Sequence, residues 1–265
     1  MSSGLLGAAV PGQLLQVEAV GLRFGGIAAL QNVTMQVNRG ELLALIGPNG
    51  AGKSSLINCI SGFYRPTSGR VTYQGEDITG RAVHHVARRG VVRTFQGTQL
   101  FGSLTVAESL LVAREQRFSY GLASAFFWTP RTRVQESRER EAVEEIIEFL
   151  QIEPYRHQKV GTLAYGLRKR VDLGRALALE PELLMLDEPM AGMNVEEKED
   201  LARFIVDVRE TRGTSMLLIE HDMGVVMDLA DRVAVLQYGK KIADGTPKDV
   251  QNDPIVIAAY LGAHP

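Results

Sequence analysis

One cysteine, one tryptophan and an aromatic content of only 6% stand in a chain of 265 residues. Cys59 has no second thiol to pair with, so no intrachain disulfide forms and a reducing compartment fits best. No apolar run approaches the roughly 18–20 residues that cross a bilayer. Residues 1–10 carry no basic side chain and Pro11 cuts their apolar run short, so a signal peptide is not expected. Positive charge is not in excess either: 29 Lys and Arg face 31 Asp and Glu, a net charge of −2. A chain built to sit on nucleic-acid phosphates has the opposite balance, and no nucleic-acid partner is expected. With 45% hydrophobic and 23% charged residues, the remainder is ordinary globular composition.

Residues 1–13 are small and weakly patterned and read as a loose lead-in. Apolar and polar side chains then alternate over 15–20 and 33–37, with Gly25-Gly26 between them, and 71–73 adds a third short strand. This predicts an antiparallel piece with one wet face. The texture changes at 42–46, 183–186, 216–219 and 233–236, four continuous apolar runs bounded by Gly, Pro or charge. Strands buried on both faces read this way, as in a parallel sheet covered by helices. Helical spacing over 54–60, 197–209 and 224–230 supplies such helices. Between about 97 and 162 lies a mostly helical insertion. Its clearest part, 131–152, places Val143, Ile146, Ile147 and Leu150 on one face and a solvated charged surface on the other.

Gly47-Pro48-Asn49-Gly50-Ala51-Gly52-Lys53-Ser54 matches the phosphate-binding P-loop pattern between a buried strand and a helix. Its glycines let successive N–H groups turn inward around phosphate oxygens. Lys53 supplies charge to the β and γ phosphates, and the Ser54 hydroxyl can ligate Mg²⁺. The run 183–186 ends in Asp187-Glu188, two acids at the carboxyl edge of the sheet, where α/β proteins bind ligands. Asp187 is the candidate Mg²⁺ holder, and Glu188, one step on, the candidate that polarises the attacking water. His221 follows the strand 216–219. Taken alone it is as readily structural as it is a hydrogen-bond partner of the γ-phosphate and water. Gln96 could contact Mg²⁺ or water, although a solvated loop glutamine is the default for that residue type.

Together these residues resemble the ATP-binding subunit of ABC transporters, over nearly the whole chain. The deciding element is Leu163-Ala164-Tyr165-Gly166-Leu167-Arg168-Lys169-Arg170, which looks like the family's signature and the start of its helix. The resemblance implies an α/β P-loop NTPase fold of the ABC ATPase type: a RecA-like parallel sheet core, an antiparallel β subdomain and the helical insertion, in one domain over 14–262. It makes Phe24 the aromatic that stacks on adenine, and residues 47–55, Ser55 included, the nucleotide cradle. Gln96 becomes the Q-loop glutamine, Asp187 the Walker B aspartate, Glu188 the catalytic glutamate and His221 the switch histidine. Ala191-Gly192-Met193-Asn194 matches the D-loop. Ala164, Tyr165 and Gly166 are the signature residues that close on a nucleotide held by another subunit. Ala164 stands where the general pattern has serine and Leu167 where it has glutamine.

A closer resemblance is to the branched-chain, or hydrophobic, amino-acid importer group. It rests on Gly90-Val91-Val92-Arg93-Thr94-Phe95-Gln96, Glu108-Ser109-Leu110-Leu111-Val112-Ala113, Leu218-Ile219-Glu220-His221-Asp222-Met223 and the tail from Asp253 to Gly262. The insertion around 118–131 looks like the longer of that group's two ATP-binding subunits. Membership of such a group implies an ATPase using ATP and Mg²⁺. Its expected partners are a sister ATP-binding subunit, identical or different, two membrane permease subunits and, through them, a periplasmic or extracellular solute-binding protein. The chain is then expected as a peripheral protein on the cytoplasmic face of the membrane. A soluble ABC ATPase of DNA repair or translation is the main alternative. One cassette, one cysteine and no long heptad run speak against it.

Overall fold

A tight turn at Gly25 and Gly26 joins two long antiparallel strands, β1 (Gln13–Phe24) and β2 (Ile27–Asn38). The structure, a computed structural model, describes residues 12–94, 102–115 and 130–261. Both strands are much longer than the alternating stretches of the sequence. The register slips repeatedly along β1, and Ala19 takes a left-handed conformation with φ 49°. Each slip resets which side chain faces inward, so alternation breaks while the pairing continues.

In chain order the next elements are β3 (Leu42–Ile46), α1 (Lys53–Ile60), β4 (Ser68–Tyr73), β5 (Glu76–Asp77), α2 (Val83–Arg88) and β6 (Val91–Arg93). Then come α3 (Val106–Arg114), α4 (Pro130–Phe149), α5 (Tyr165–Leu177), β7 (Leu183–Asp187) and α6 (Val195–Arg212). The chain continues through β8 (Ser215–Ile219), α7 (Met223–Leu229), β9 (Arg232–Gln237), β10 (Lys240–Gly245), α8 (Pro247–Gln251) and α9 (Pro254–Leu261). Two compact units form: Met1–Arg93 with Glu182–Glu188 and Ile205–Pro265, and Thr94–Pro181 with Pro189–Phe204.

The first unit holds both sheets. One is antiparallel, in the order β2-β1-β4-β5; the other runs β10-β9-β3-β8-β7-β6 and is parallel except for β10 at its edge. Alternate residues of β3 go to opposite sides. Leu43 and Leu45 join a core with α1 and the antiparallel sheet, whereas Ala44 and Ile46 join Val226, Val250 and Val256. Burial on both faces is why these strands read as unbroken apolar runs. Cys59 lies inside the first of these cores, where burial pushes its thiol pKa up to about 11.

In the second unit Thr105 and Glu108 form a capping box that starts α3. Val143, Ile146 and Ile147 of α4 are buried, as their spacing predicts. The charged side of α4 is not wholly solvated, however. Glu139 is buried and accepts from Arg114, which also donates to the Ala178 carbonyl at 3.1 Å and to Glu180 at 3.0 Å. An arginine has enough donors to neutralise a carboxylate and cap the end of α5 at once. Gly174 of α5 lets α4 approach: a Cβ there would lie 2.9 Å from Leu150 Cδ1. Among the described residues no helix is long and apolar enough to cross a membrane.

Asp172 of α5 is mostly buried, and burial raises its carboxyl pKa from 3.8 to about 6 against the pull of Arg175, Lys169 and Arg168. The folded chain therefore holds this proton more tightly than the unfolded one. Its contribution favours folding below pH about 4 and is lost as the pH rises through about 6. Replacing Asp172→Asn is expected to add about 2 kcal/mol near pH 8 and almost nothing near pH 4. Urea unfolding at the two pH values measures this; equal stability of variant and parent at the higher pH overturns it.

Candidate functional site

The loop after β3 is held from outside by the β9–β10 hairpin. Gly239 N–H donates to the Ala51 carbonyl at 2.9 Å, and Gln31 N–H donates to the Gly239 carbonyl at 2.7 Å. This brings backbone against backbone, and glycine is required where they touch. Gly47 has φ 147°, and a Cβ on it would lie 2.1 Å from the Leu236 carbonyl oxygen. Gly52 has φ 105°, with a Cβ position 2.7 Å from the Ala29 oxygen. Gly52 is also the N-cap of α1, and no side chain caps that end nor does an acid occupy its first turn. The leading N–H groups of such a helix have no intrahelical acceptor and point where an anion is best held.

Lys53 is only 6% exposed. Its ammonium donates to the Gly47 carbonyl at 2.6 Å and the Pro48 carbonyl at 3.2 Å. Burial lowers its pKa, while the charges of Glu188 and Asp187 pull the other way. A cavity of about 300 Å³ opens beside the loop, lined by residues 49–55, Glu188 and His221, with 27–29 along one side.

Asp187 closes β7 and is buried; Glu188, the next residue, turns out of the strand with φ 49°. Its N–H still donates to the Ile219 carbonyl at 2.9 Å, so the turn is tied to β8. His221 stands just past β8, ahead of Asp222, whose carboxylate caps α7. The His221 Nε2 lies 2.8 Å from Glu188 Oε1. Sequence-predicted Glu188, His221, Lys53, Ser54 and Ser55 thus share one cavity, whereas Asp187 is buried and does not line it.

Arg93 donates to Asp187 Oδ2 at 2.5 Å and to Asn58 Oδ1 at 2.5 Å, a mostly buried ion pair that sequence reasoning missed. Arg93 ends a three-residue strand, and nothing in its neighbourhood in the sequence announces the partner. Phe24 is 47% exposed and meets Tyr64 edge to face, ring centroids 5.2 Å apart. It does not line the cavity itself. Gln96 lies outside the described residues, as does most of the stretch 118–131.

The signature residues belong to the second unit. Ala164 is the N-cap of α5, again with no side-chain cap and no acid in the first turn. The Tyr165 hydroxyl donates to the Ala191 carbonyl at 2.9 Å, joining the start of α5 to the segment 191–194. Gly166 packs on Glu197, which would stand 2.4 Å from a Cβ there. Glu197 in turn closes a reciprocal cap with Asn194, at 3.0 and 2.9 Å.

This arrangement can bind an anion at one helix N-terminus and activate a water at a carboxylate beside it. The ABC transporter family model matches residues 30–191, and that of the branched-chain amino acid ATP-binding cassette transporter matches 240–265. The chain is 41% identical over 249 residues to the high-affinity branched-chain amino acid transport ATP-binding protein BraF of Pseudomonas aeruginosa. Its identity to LivG of Salmonella typhimurium, described in the same words, is 42%; each alignment covers 94% of this chain and 98% of the relative. An ATP-binding cassette of an ABC transporter solved in its ADP conformation superposes with a TM-score of 0.83. It is 34% identical, and the match covers 94% of this chain and 99% of that one. The chain belongs to the ABC transporter family and is one of its ATP-hydrolysing ATP-binding proteins.

Proposed function

We propose that this chain is the motor subunit of an importer for branched-chain or other hydrophobic amino acids, with residues 14–262 as its one ATP-binding domain. The observation that carries the reading is the cavity in which the P-loop, Glu188 and His221 meet. The likeness to branched-chain transport proteins supports the cargo.

Residues 49–55 take the triphosphate on backbone amides at the start of α1. Lys53 exchanges the Gly47 and Pro48 carbonyls for β and γ phosphate oxygens; an ammonium already out of water loses little further hydration in the exchange. Among the described residues no cluster of three His, Cys, Asp or Glu side chains is placed to cage a metal. Mg²⁺ needs no such cage, since it keeps several waters and takes only one or two hard protein oxygens besides phosphate. Ser54, Asp187 and Gln96 offer such oxygens, and the ion bound there supplies positive charge to the β and γ phosphates. Arg93 holds one oxygen of Asp187 and so fixes the plane of its carboxylate. Glu188 polarises the attacking water, and the His221 ring, in contact with its carboxylate, fixes where that oxygen points. Phe24 stacks on the adenine.

Ala164, Tyr165 and Gly166 complete the site of a sister subunit, identical or different, through the uncapped N-terminus of α5. ATP then joins two incomplete halves, and hydrolysis removes the γ-phosphate contacts that favour the closed pair. Two permease subunits carry the solute, a solute-binding protein delivers it, and this chain works on the cytoplasmic face of the membrane.

Two variants and one stimulation assay test the reading. Glu188→Gln is expected to keep ATP affinity within about threefold and to lose on the order of 10²–10⁴ in turnover. Turnover near the parent value in the assembled transporter overturns the role of Glu188. Lys53→Ala is expected to abolish measurable ATP binding at concentrations that saturate the parent. Hydrolysis stimulated by leucine, isoleucine or valine with the solute-binding protein present supports the cargo; stimulation by none of them removes it.

A further inference from the structure

β6 and β7 lie side by side, parallel, with Val91 opposite Leu183 and Arg93 opposite Met185. Val91, Leu183 and Met185 turn toward the core that α1 closes with Leu56, Ile57, Cys59 and Ile60. Alternate residues of a strand share a face, so beyond Val91 and Met185 the same side continues with Arg93 and Asp187. Both are largely out of water: side-chain exposure is 14% for Arg93 and 2% for Asp187.

α1 offers this pair a different stripe from the one it gives the core. Ser54 and Asn58 are four residues apart, one turn along the same face, and neither is buried. Ser54 lines the cavity. A single guanidinium joins the helix to the strand: Arg93 Nη2 donates to Asp187 Oδ2 and Nη1 donates to Asn58 Oδ1, both at 2.5 Å. The fork is planar and rigid, so bonding both acceptors fixes the acid relative to the stripe that carries Ser54. Asn58 is tied down in turn, its carbonyl accepting from Tyr64 N–H at 2.9 Å.

We infer that Arg93 is a positioning residue for the divalent cation, a strut that sets the spacing between the Ser54 side of α1 and Asp187 at the end of β7. The inference rests on the reading of this cavity as a nucleotide site, and goes beyond the hold on one carboxylate because the strut acts on both oxygen donors at once. Mg²⁺ tolerates little departure from octahedral geometry, so its affinity depends on how closely those oxygens are preset. Arg93 is not on the cavity wall and acts through its two acceptors. Groups in this position, holding the ligands rather than the ion, typically carry about 10–100-fold of metal affinity.

The experiment titrates Mg²⁺ into the full chain holding a fluorescent ADP analogue, with thermal unfolding in EDTA alongside. It compares the parent with Arg93→Gln, Asn58→Ala, Asp187→Asn and the double variant Arg93→Gln/Asp187→Asn. Arg93→Gln is expected to raise the Mg²⁺ concentration at half-saturation about 10–100-fold, with binding of the analogue in EDTA within about twofold of the parent. Its melting temperature falls, since a buried carboxylate loses its partner. Asn58→Ala keeps the ion pair and decides the matter where Arg93→Gln does not fold. It is expected to raise the Mg²⁺ requirement about threefold, with a melting temperature within about 3 °C of the parent. In the Asp187→Asn background Arg93→Gln is expected to add less than about twofold, because the strut has lost what it positions. A parent Mg²⁺ requirement in Arg93→Gln and Asn58→Ala, with Asp187→Asn impaired, sinks the strut alone; a lowered melting temperature then makes the pair a structural one. An equal shift by Arg93→Gln with and without Asp187 also overturns it. A parent Mg²⁺ requirement in Asp187→Asn sinks the metal site and the inference with it.

Discussion

No side chain fits at Gly47, because the β9–β10 hairpin presses the Leu236 carbonyl to within 2.1 Å of where a Cβ would be. That close approach sets most of the surrounding geometry. It obliges the loop to leave β3 in a conformation open to glycine, and it brings Gly239 near enough for Ala51 and Gln31 to bond it. It also places the Gly47 carbonyl under the Lys53 ammonium. The proposed phosphate cradle is thus less a flexible loop than a seam where three backbone segments are bonded together. In the proposed function an anion would meet a loop already tied in place, with little ordering left for binding to supply.

The parallel sheet carries the other half of the site. Each of β7 and β8 ends at the same edge, one in Asp187-Glu188 and the other just before His221. Adjacent parallel strands in register keep their ends level, which is how residues distant in sequence come within 2.8 Å. Glu188 stands in a left-handed conformation that a non-glycine residue adopts at a cost of order 1 kcal/mol. The cost is met by the bond from its N–H to Ile219 and turns its side chain toward the histidine.

What is legible in the sequence is what is local or periodic. The P-loop, the four doubly buried strands, the acids after β7 and the inward face of α4 each lie within a few residues, and their physics is written in spacing. What depends on long-range pairing is not legible. Arg93 reads as an unremarkable strand end until β6 is laid beside β7, and only then does it reach Asp187. Glu139 looks like one more solvated charge of α4 until Arg114 is brought to it. Phe24 is singled out by resemblance alone; its exposure beside Tyr64 leaves a ring face open to stack, without placing it on the cavity wall.

Cys59 has a consequence of another kind. It is the chain's one thiol, sealed in the core and held protonated by its surroundings at neutral pH. To maleimides, spin labels and gold surfaces the folded protein is therefore chemically blank. A cysteine introduced anywhere on its surface becomes the single reactive address, with the native residue left in place. Distances between halves of an assembled motor can then be read by optical or magnetic probes from a protein whose interior has not been altered to permit it.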